Sequence, residues 1–558
     1  MRRAGVSAVL VTLASIAGAA VFLVACQWKF PPPRCGFVED TYISFRYARN
    51  LAEGHGLVWN VGEKPVEGFT NLLWVVMLAG ANRSGLFSMA GVEPELAAGR
   101  FLGLIHGVLT IAALTVTTLL LSRRRYRWIA LFIPFHFALH PYFLWASVSG
   151  METSQVMCFV AVLMLLGAVF LKRPGRPAML LVSAWGAIGG AIRPDLVILV
   201  GVFLAVLAFV GVRRQRLSVP AALLSAFALP GLAGLALLGW KLSYFGTVVS
   251  PPLLIKGSFL HNLLHPVPFS FHYVLGFLLL AVPYFCMVAL AGIVRRRPPM
   301  VLAGVWLIPA AAYAGYFLTV VPIMGFGYRY LMPLWGMFAV LAFLSLAEVL
   351  NASKKAAKKR RPLLVRTLET SLVLLLAAYP LNSLHGVREE AAMMDFTCDD
   401  LREIGRFLGT LRSPEDLCLA ATECGNLPYF SRWKTVDLLG LNDAEIARHA
   451  HAGDFAAELV MRHRPDVMFL RDRVMVDIAG SLRAHAGFAG YRPVGRWRIG
   501  LYEGPIVVNT RSSRLNDFLG FFEFRWEYLR EHPEDAVFGQ AHKYVEAFRM
   551  KKAPDRFR

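Results

Sequence analysis

No aspartate and no glutamate lies between Leu196 and Ala347. A stretch that long without acids cannot form the mixed-charge surface of an ordinary soluble domain. It also lacks what ion-coupled transporters usually carry, ionisable groups near the bilayer midplane that hold a proton or cation. Cysteines are few, seven in 558 residues, and none has Cys-x-x-Cys spacing, so the usual zinc frames are missing. Neither a P-loop nor a Gly-x-Ser-x-Gly element occurs, which leaves ATP-driven transport and ordinary serine hydrolysis without their signatures. His55, His136, His140, His261 and His265 form no metal pattern. His136 and His140 share helical i, i+4 spacing, but no partnering acid stands near them.

What is abundant is apolar sequence: 56% of residues are hydrophobic and mean hydropathy is +0.51. The apolar residues come in blocks long enough to cross a hydrocarbon core, which takes ~20 residues as helix. The formal charge of +21 does not point to nucleic acid, because no continuous basic face with reader side chains is visible. Instead the basic clusters sit between apolar blocks: Arg2-Arg3, Arg123 to Arg127, Lys172 to Arg176, Arg213 to Arg216, Arg295 to Arg297 and Lys354 to Arg361. Short basic loops of this kind mark the cytoplasmic side of a spanning bundle.

The first apolar stretch, about residues 5 to 26, ends in Leu23-Val24-Ala25-Cys26, which is similar to a bacterial lipoprotein cleavage box. Its length also suits a first spanning helix with a cytoplasmic N-terminus, the reading kept here. A large outer loop follows over 28–99, in which Thr41 to Ala52 reads as an amphipathic helix with Ile43, Tyr47 and Leu51 on one side. The run Phe69 to Ala81 is short for a crossing and is placed as interfacial or re-entrant, which keeps every basic cluster on one side. Further spans are expected at 100–121, 128–146, 154–171, 178–192, 196–212, 219–240, 273–294, 299–320, 331–350 and 363–380, about eleven crossings in all. An odd number puts the C-terminus outside.

From about Asn382 the composition turns mixed, with strand-like runs at Leu417–Ala421, Val467–Leu470 and Ile499–Tyr502 and helical patterns at Asp400–Leu411 and Asp443–His449. The expected division is therefore a membrane domain, 1–381, and an extracytoplasmic α/β domain, 382–558. Outside the cytoplasm two of Cys398, Cys418 and Cys424 are open to disulfide formation.

Acids of the membrane part converge on its outer rim: Glu39, Asp40, Glu53, Glu63, Glu67, Glu93, Glu95, Glu152 and Asp195. The same rim carries Arg193, Lys241, Lys256 and Arg329, which could grip a lipid phosphate or simply snorkel to headgroups. Asp40, beside Glu39, could act as general base toward a hydroxyl, although adjacent acids are commonly just solvated surface. Glu67 is a second site acid or a cap of the following helix, and Glu152 suits the positive end of a helix dipole. Asp437, Asn442 and Asp443 read more readily as a turn and helix cap than as glycan contacts.

The stretch Glu39-Asp40-Thr41-Tyr42-Ile43-Ser44-Phe45-Arg46-Tyr47-Ala48-Arg49-Asn50-Leu51-Ala52-Glu53-Gly54-His55-Gly56-Leu57-Val58-Trp59-Asn60 resembles the first outer loop of a GT-C membrane glycosyltransferase group. That group includes the mycobacterial terminal β-arabinofuranosyltransferases and related bacterial proteins. Val66-Glu67-Gly68-Phe69-Thr70-Asn71, Ser149-Gly150-Met151-Glu152-Thr153, Pro428-Tyr429-Phe430-Ser431 and Asp437 to Asp443 continue the likeness in the same order.

The resemblance implies an α-helical polytopic GT-C-like protein with a C-terminal α/β domain in a bacterial cytoplasmic membrane. It implies an inverting transfer of sugar from a polyprenyl-phosphate carrier to an envelope glycan or lipid on the outer face. A base at Asp40 or Glu39 is implied, with phosphate contacts from Arg193, Lys256 and Arg329. Arg46, Glu67, Glu152, Asp195 and Tyr330 are then expected to meet substrate. No cofactor is implied and a divalent metal is not indicated. Three positions depart from the group's pattern: Glu39-Asp40 for Asp-Asp, Arg193-Pro194-Asp195 for Arg-Pro-Glu, and the loop Gly246 to Lys256 for a Pro-Asn-Thr run. The alternative is a non-enzymatic polyprenol-sugar flippase or glycan exporter.

Overall fold

In lipid a chain must satisfy its own backbone hydrogen bonds, so apolar blocks become helices. The computed structural model describes residues 8–29, 37–88, 93–255, 268–295, 300–322, 325–357, 371–372, 376, 379, 400–411, 417–451, 457–471, 478–499 and 502–532, and 543, 547–548 and 551 beyond. Among the described residues six helices are long and apolar enough to cross a membrane: Pro94–Leu121, Thr153–Lys172, Leu196–Arg213, Val219–Phe245, Pro268–Ile293 and Pro333–Asn351. A broken pair, Arg124–Ala138 and Pro141–Val148, bent by 61°, makes a seventh if the two are counted as one span. The break falls just before Pro141, which has no backbone N–H to continue the ladder.

Other apolar helices, Ala8–Lys29, Arg176–Ala187 and Met300–Tyr316, stand where crossings were expected. The last expected crossing, 363–380, lies almost wholly outside the described residues. The expected count of eleven is therefore not confirmed. Leu72–Arg83 is a 12-residue helix, about 18 Å long and too short to span.

Helix direction sorts the charges. Pro94–Leu121, Thr153–Lys172 and Leu196–Arg213 each begin beside an acid at one end of the bundle (Glu95, Glu152, Asp195) and finish at the clusters Arg123–Arg127, Lys172–Arg176 and Arg213–Arg216. Eighteen or more helical residues put those clusters ~27 Å or more from the acids. The window of Pro333–Asn351 is 94% buried, whereas that of Val219–Phe245 is 17% buried and shows Leu224, Leu232 and Leu235 outward. The first is the axis of the bundle and the second its lipid-facing edge.

The C-terminal region holds a five-stranded sheet in the order β2-β1-β3-β5-β4. Its strands are β1 (Cys418–Ala421), β2 (Lys434–Asp437), β3 (Val467–Phe469), β4 (Tyr491–Ile499) and β5 (Tyr502–Asn509). β2, β1 and β3 run parallel, and β5 and β4 add an antiparallel edge. The run expected as one strand at Ile499–Tyr502 instead joins the end of β4 to the start of β5, with Ile499 paired to Tyr502. An apolar run that straddles a hairpin looks like a strand when only composition is read. Cys418 and Cys424 are buried free thiols, so neither enters a disulfide, and Cys398 lies outside the described residues.

The outer loop packs into this region. Tyr42, Phe45, Tyr47 and Trp74 share one apolar cluster with Tyr429, Trp433 and Phe518. The helix Thr41–Ala52 is buried on every side over residues 41–50. Its arginines therefore need partners, and they find backbone carbonyls: Arg46 donates to Trp59, Pro428 and Trp433 at 2.7–2.9 Å, and to the Asn60 side chain at 3.0 Å. Arg49 donates to the Tyr429 carbonyl at 3.0 Å and pairs with Glu93 and Glu95. Together they pin the outer loop to residues 428–433. Asp437 accepts from the amides of Leu439, Gly440 and Asn442, and Asp443 accepts from those of Glu445 and Ile446. They are turn and cap, as read from the sequence.

Candidate active site

The segments that lead into Thr153–Lys172 and Leu196–Arg213 bring Glu152 and Arg193 together with loops of the sheet around a cavity of about 880 Å³, its open mouth included. The outer helix sets one wall. The Thr41 hydroxyl donates to the Ser149 carbonyl at 3.0 Å, and Glu39-Asp40 is thereby held between that loop and the C-terminal region. Asp40 occupies the helix N-cap position but makes no side-chain cap bond. Its carboxylate instead faces the cavity, 23% exposed, with Arg329 at 3.3 Å.

Glu39 points the other way. Its carboxyl accepts the amides of Gly425 and Asn426, and the approach is so close that a Cβ on Gly425 would collide with it. Burial, with Glu423 and Asp40 adding negative charge, holds Glu39 well above the usual carboxylate range despite those two donors. Two adjacent acids thus have different environments: one is enclosed and tied to the sheet region, the other open to the cavity.

A chain of polar contacts crosses the floor. Ser44 bonds Asn71 at 3.2 Å, the Asn71 amide donates to Glu152 at 2.9 Å, and Arg193 donates to Glu152 at 2.5 Å and to Asp195 at 2.9 Å. The Tyr313 hydroxyl closes the chain on Asp195 at 2.5 Å. Burial alone would raise Glu152, but Arg193, Arg329 and the Asn71 amide outweigh it and leave it below its ordinary value. Arg193 is therefore charge-matched by two carboxylates.

Arg329 differs. It gives one N–H to Tyr330 Oη at 2.9 Å and one to Asp40, while its Nε and Nη1 are buried and find no hydrogen-bond partner among the described residues. Unmet donors on a guanidinium that is 7% exposed are costly, and an anion in the cavity would satisfy them. The turn that presents Arg329 is strained: Gly327 and Tyr328 both take left-handed φ, 61° and 53°. Glycine is required at 327, where the Trp145 ring would meet a Cβ. A tyrosine in that conformation costs roughly 1–2 kcal/mol, held here by its packing on Tyr142 and Tyr273. Tyr330 lies between the guanidinium groups of Arg193 and Arg329, 4.7 and 4.9 Å from its ring.

Asp40, Glu152, Arg193, Arg329 and Tyr330 are thus brought together, and Asp195 stands behind Arg193. Arg46, expected to meet substrate, does not line the cavity, because its donors are used by the loop carbonyls already named. Glu67 sits outside it as well, paired with Lys241 at 2.5 Å, and burial raises its carboxyl even so. Asn71, rather than Glu67, takes the N-cap position of the helix that follows. Lys256 lies outside the described residues. Sequence reasoning missed Glu423, Arg471, Asn71 and Tyr313. Only the first two carried a signal, since each follows a strand of a parallel sheet, where ligand-binding loops sit.

A second cavity of about 490 Å³ shares Thr70, Arg193, Pro252 and Tyr330 with the first and is otherwise lined mainly by apolar groups such as Leu253, Phe317, Val320 and Val321. The polar chamber thus has an apolar annex at the level of the helix ends. Among the described residues no group of three or more His, Cys, Asp or Glu could hold a metal ion.

Solved structures share this architecture. The chain is similar to ArnT from Cupriavidus metallidurans bound to undecaprenyl phosphate, with 13% identity over 90% of this chain and 98% of that one, TM-score 0.54. It is also similar to the oligosaccharyltransferase of Archaeoglobus fulgidus, with 12% identity over 76% of this chain and 64% of that one, TM-score 0.51. The arabinofuranosyltransferase AftD from Mycobacteria aligns at 15% identity over 91% of this chain and 40% of its own, TM-score 0.47, which is too low to argue about the sugar. Residues 387–516 match a family model described as a domain of unknown function (DUF8728). No curated protein sequence matches the chain. The fold is that of the GT-C membrane glycosyltransferases, a multi-pass bundle with a small sheet domain at its C-terminal end.

Proposed function

On this GT-C scaffold we propose that the chain transfers a sugar from a polyprenyl-phosphate carrier to an acceptor hydroxyl, with inversion, at the outer face of a bacterial cytoplasmic membrane. The observation that carries the reading is the pairing, in one cavity, of the open carboxylate of Asp40 with the unfilled donors of Arg329. The donor phosphate binds Arg329, with Arg193 beyond Tyr330, and the first isoprene units follow the apolar annex. The ArnT relative, whose structure contains undecaprenyl phosphate, supports that class of carrier.

In the reaction the acceptor oxygen attacks the anomeric carbon while Asp40 takes its proton. The bond from that carbon to the phosphate oxygen breaks, and the guanidinium stabilises the charge left on the phosphate. Glu39 is the poorer base in this reading, because burial disfavours its charged form and its Oε1 already accepts the amides of Gly425 and Asn426. The basic clusters at the far end of the helices support an orientation with the site outside.

The test is incubation of purified protein with a panel of polyprenyl-phosphate sugars, followed by mass spectrometry of bound, hydrolysed and transferred products. A flippase would move labelled carrier across sealed vesicles and leave every glycosidic bond intact. That result would replace the transferase reading.

A further inference from the structure

Glu423 and Arg471, an ion pair on the cavity wall, come from the C-terminal region rather than the membrane bundle. Their position follows from the sheet. In the order β2-β1-β3 the chain leaves β1 toward β2 and then crosses back to β3. The loops after β1 and β3 therefore part to opposite sides, and a crevice opens at the carboxyl ends of those two strands, the usual ligand position of a parallel sheet. Glu423 follows β1 by two residues and Arg471 follows β3 by two. Both face the cavity that holds Asp40. Leu439 and Leu441, after β2, line the same wall.

We infer that this crevice is the acceptor subsite, where Glu423 and Arg471 bind adjacent hydroxyls of a neutral sugar residue whose apolar face rests on Leu439 and Leu441. A carboxylate beside a guanidinium sets acceptors next to donors, the pattern that two neighbouring hydroxyls match. Glu423 is 7% exposed, so its bonds are made with little water to compete. Its loop is held from behind by Glu39, through the amides of Gly425 and Asn426. That gives Glu39 a positioning role.

Charge sets the class of acceptor. Asp40 and Glu423 face the cavity on this side and Arg471 offsets one of them, while Glu39, whose protonated form burial favours, is left out of the balance. On the membrane side Arg193 is matched by Glu152 and Asp195, and Arg329 is reserved for the donor phosphate in the reading above. An acceptor carrying its own phosphate would meet net negative charge, whereas a neutral glycan would not.

The inference rests on the transferase reading, and one experiment separates the two. Full-length protein in lipid nanodiscs receives the polyprenyl-phosphate sugar panel with two acceptor sets, neutral methyl glycosides and the same sugars as phosphates. Wild type is expected to prefer the neutral set, and Glu423→Gln and Arg471→Gln each to raise the neutral acceptor's KM by roughly tenfold or more, with smaller changes in kcat and donor KM. Equal use of the two sets, or an unmoved acceptor KM in both variants, overturns the subsite while donor turnover keeps the transferase reading alive. Wild type that neither hydrolyses nor transfers any donor sinks both. Should the variants fail to fold, saturation-transfer NMR on wild type with the methyl glycosides and their phosphates decides, and absence of a preference for the neutral set overturns the proposal.

Discussion

Two regions of this protein place buried arginines against the outer loop, and they use them differently. Where the loop meets residues 428–433, Arg46 is met on every side by carbonyl oxygens and one asparagine. On the cavity rim, Arg329 is equally buried but keeps two donor positions unmet among the described residues. A guanidinium with every nitrogen hydrogen-bonded holds chain segments together, whereas one with bare nitrogens is suited to an anion. Residue type and burial are the same in both places. Satisfaction of donors is what separates fastening from binding.

The comparison can be broken at its chemical end first. Asp40→Asn removes the proposed proton acceptor and keeps the shape, so transfer should fall by about 10²–10⁴-fold with melting temperature and donor binding little altered. Steady-state transfer by that variant at the wild-type rate would leave the rim without chemistry. Next comes Arg329→Gln, which should weaken binding of the polyprenyl-phosphate donor by roughly 10–100-fold. Because two of its donors are already unmet, stability should stay level or rise. A large drop in melting temperature together with intact donor affinity would class Arg329 with Arg46.

Arg46→Ala should behave in the opposite sense. It removes four buried hydrogen bonds, two of them to the carbonyls of Pro428 and Trp433, and about 3 kcal/mol of stability should be lost, seen as a lower melting temperature and faster proteolysis between the outer loop and the sheet region. The smallest effect belongs to Glu39→Gln. Burial raises the Glu39 carboxyl above its unfolded value, so folding favours its protonated form. That contribution is fully present below the unfolded value near 4.5 and is lost as pH rises through the folded one. Melting temperature against pH should therefore decline less for the variant than for wild type above that point. Parallel curves would show that Glu39 titrates normally.

Some of this was legible without coordinates. The outer helix Thr41–Ala52 was readable from its apolar spacing, and the structure gives the same bounds. The short run after Phe69 was readable from length alone. Basic clusters predicted one common end of the bundle, and helix direction puts three of them there. The count of crossings was not legible, because a span and a helix pair broken before Pro141 have the same composition. Nor was the role of Arg46: its Pro428 partner stands 382 positions away in the chain, and a carbonyl oxygen leaves no trace in residue type. Both members of Glu39-Asp40 read alike in the sequence and became distinguishable only when Gly425 was found against one of them.

By itself the sequence determined which segments leave water, which end of the bundle is basic and which short stretch sets two acids side by side, because hydropathy and charge act locally along a chain. Only the tertiary structure decided which arginine is satisfied, which carboxylate is open and which loops of the sheet reach the cavity. Those outcomes depend on distances between groups far apart in sequence, and hydrogen bonds and burial are functions of distance.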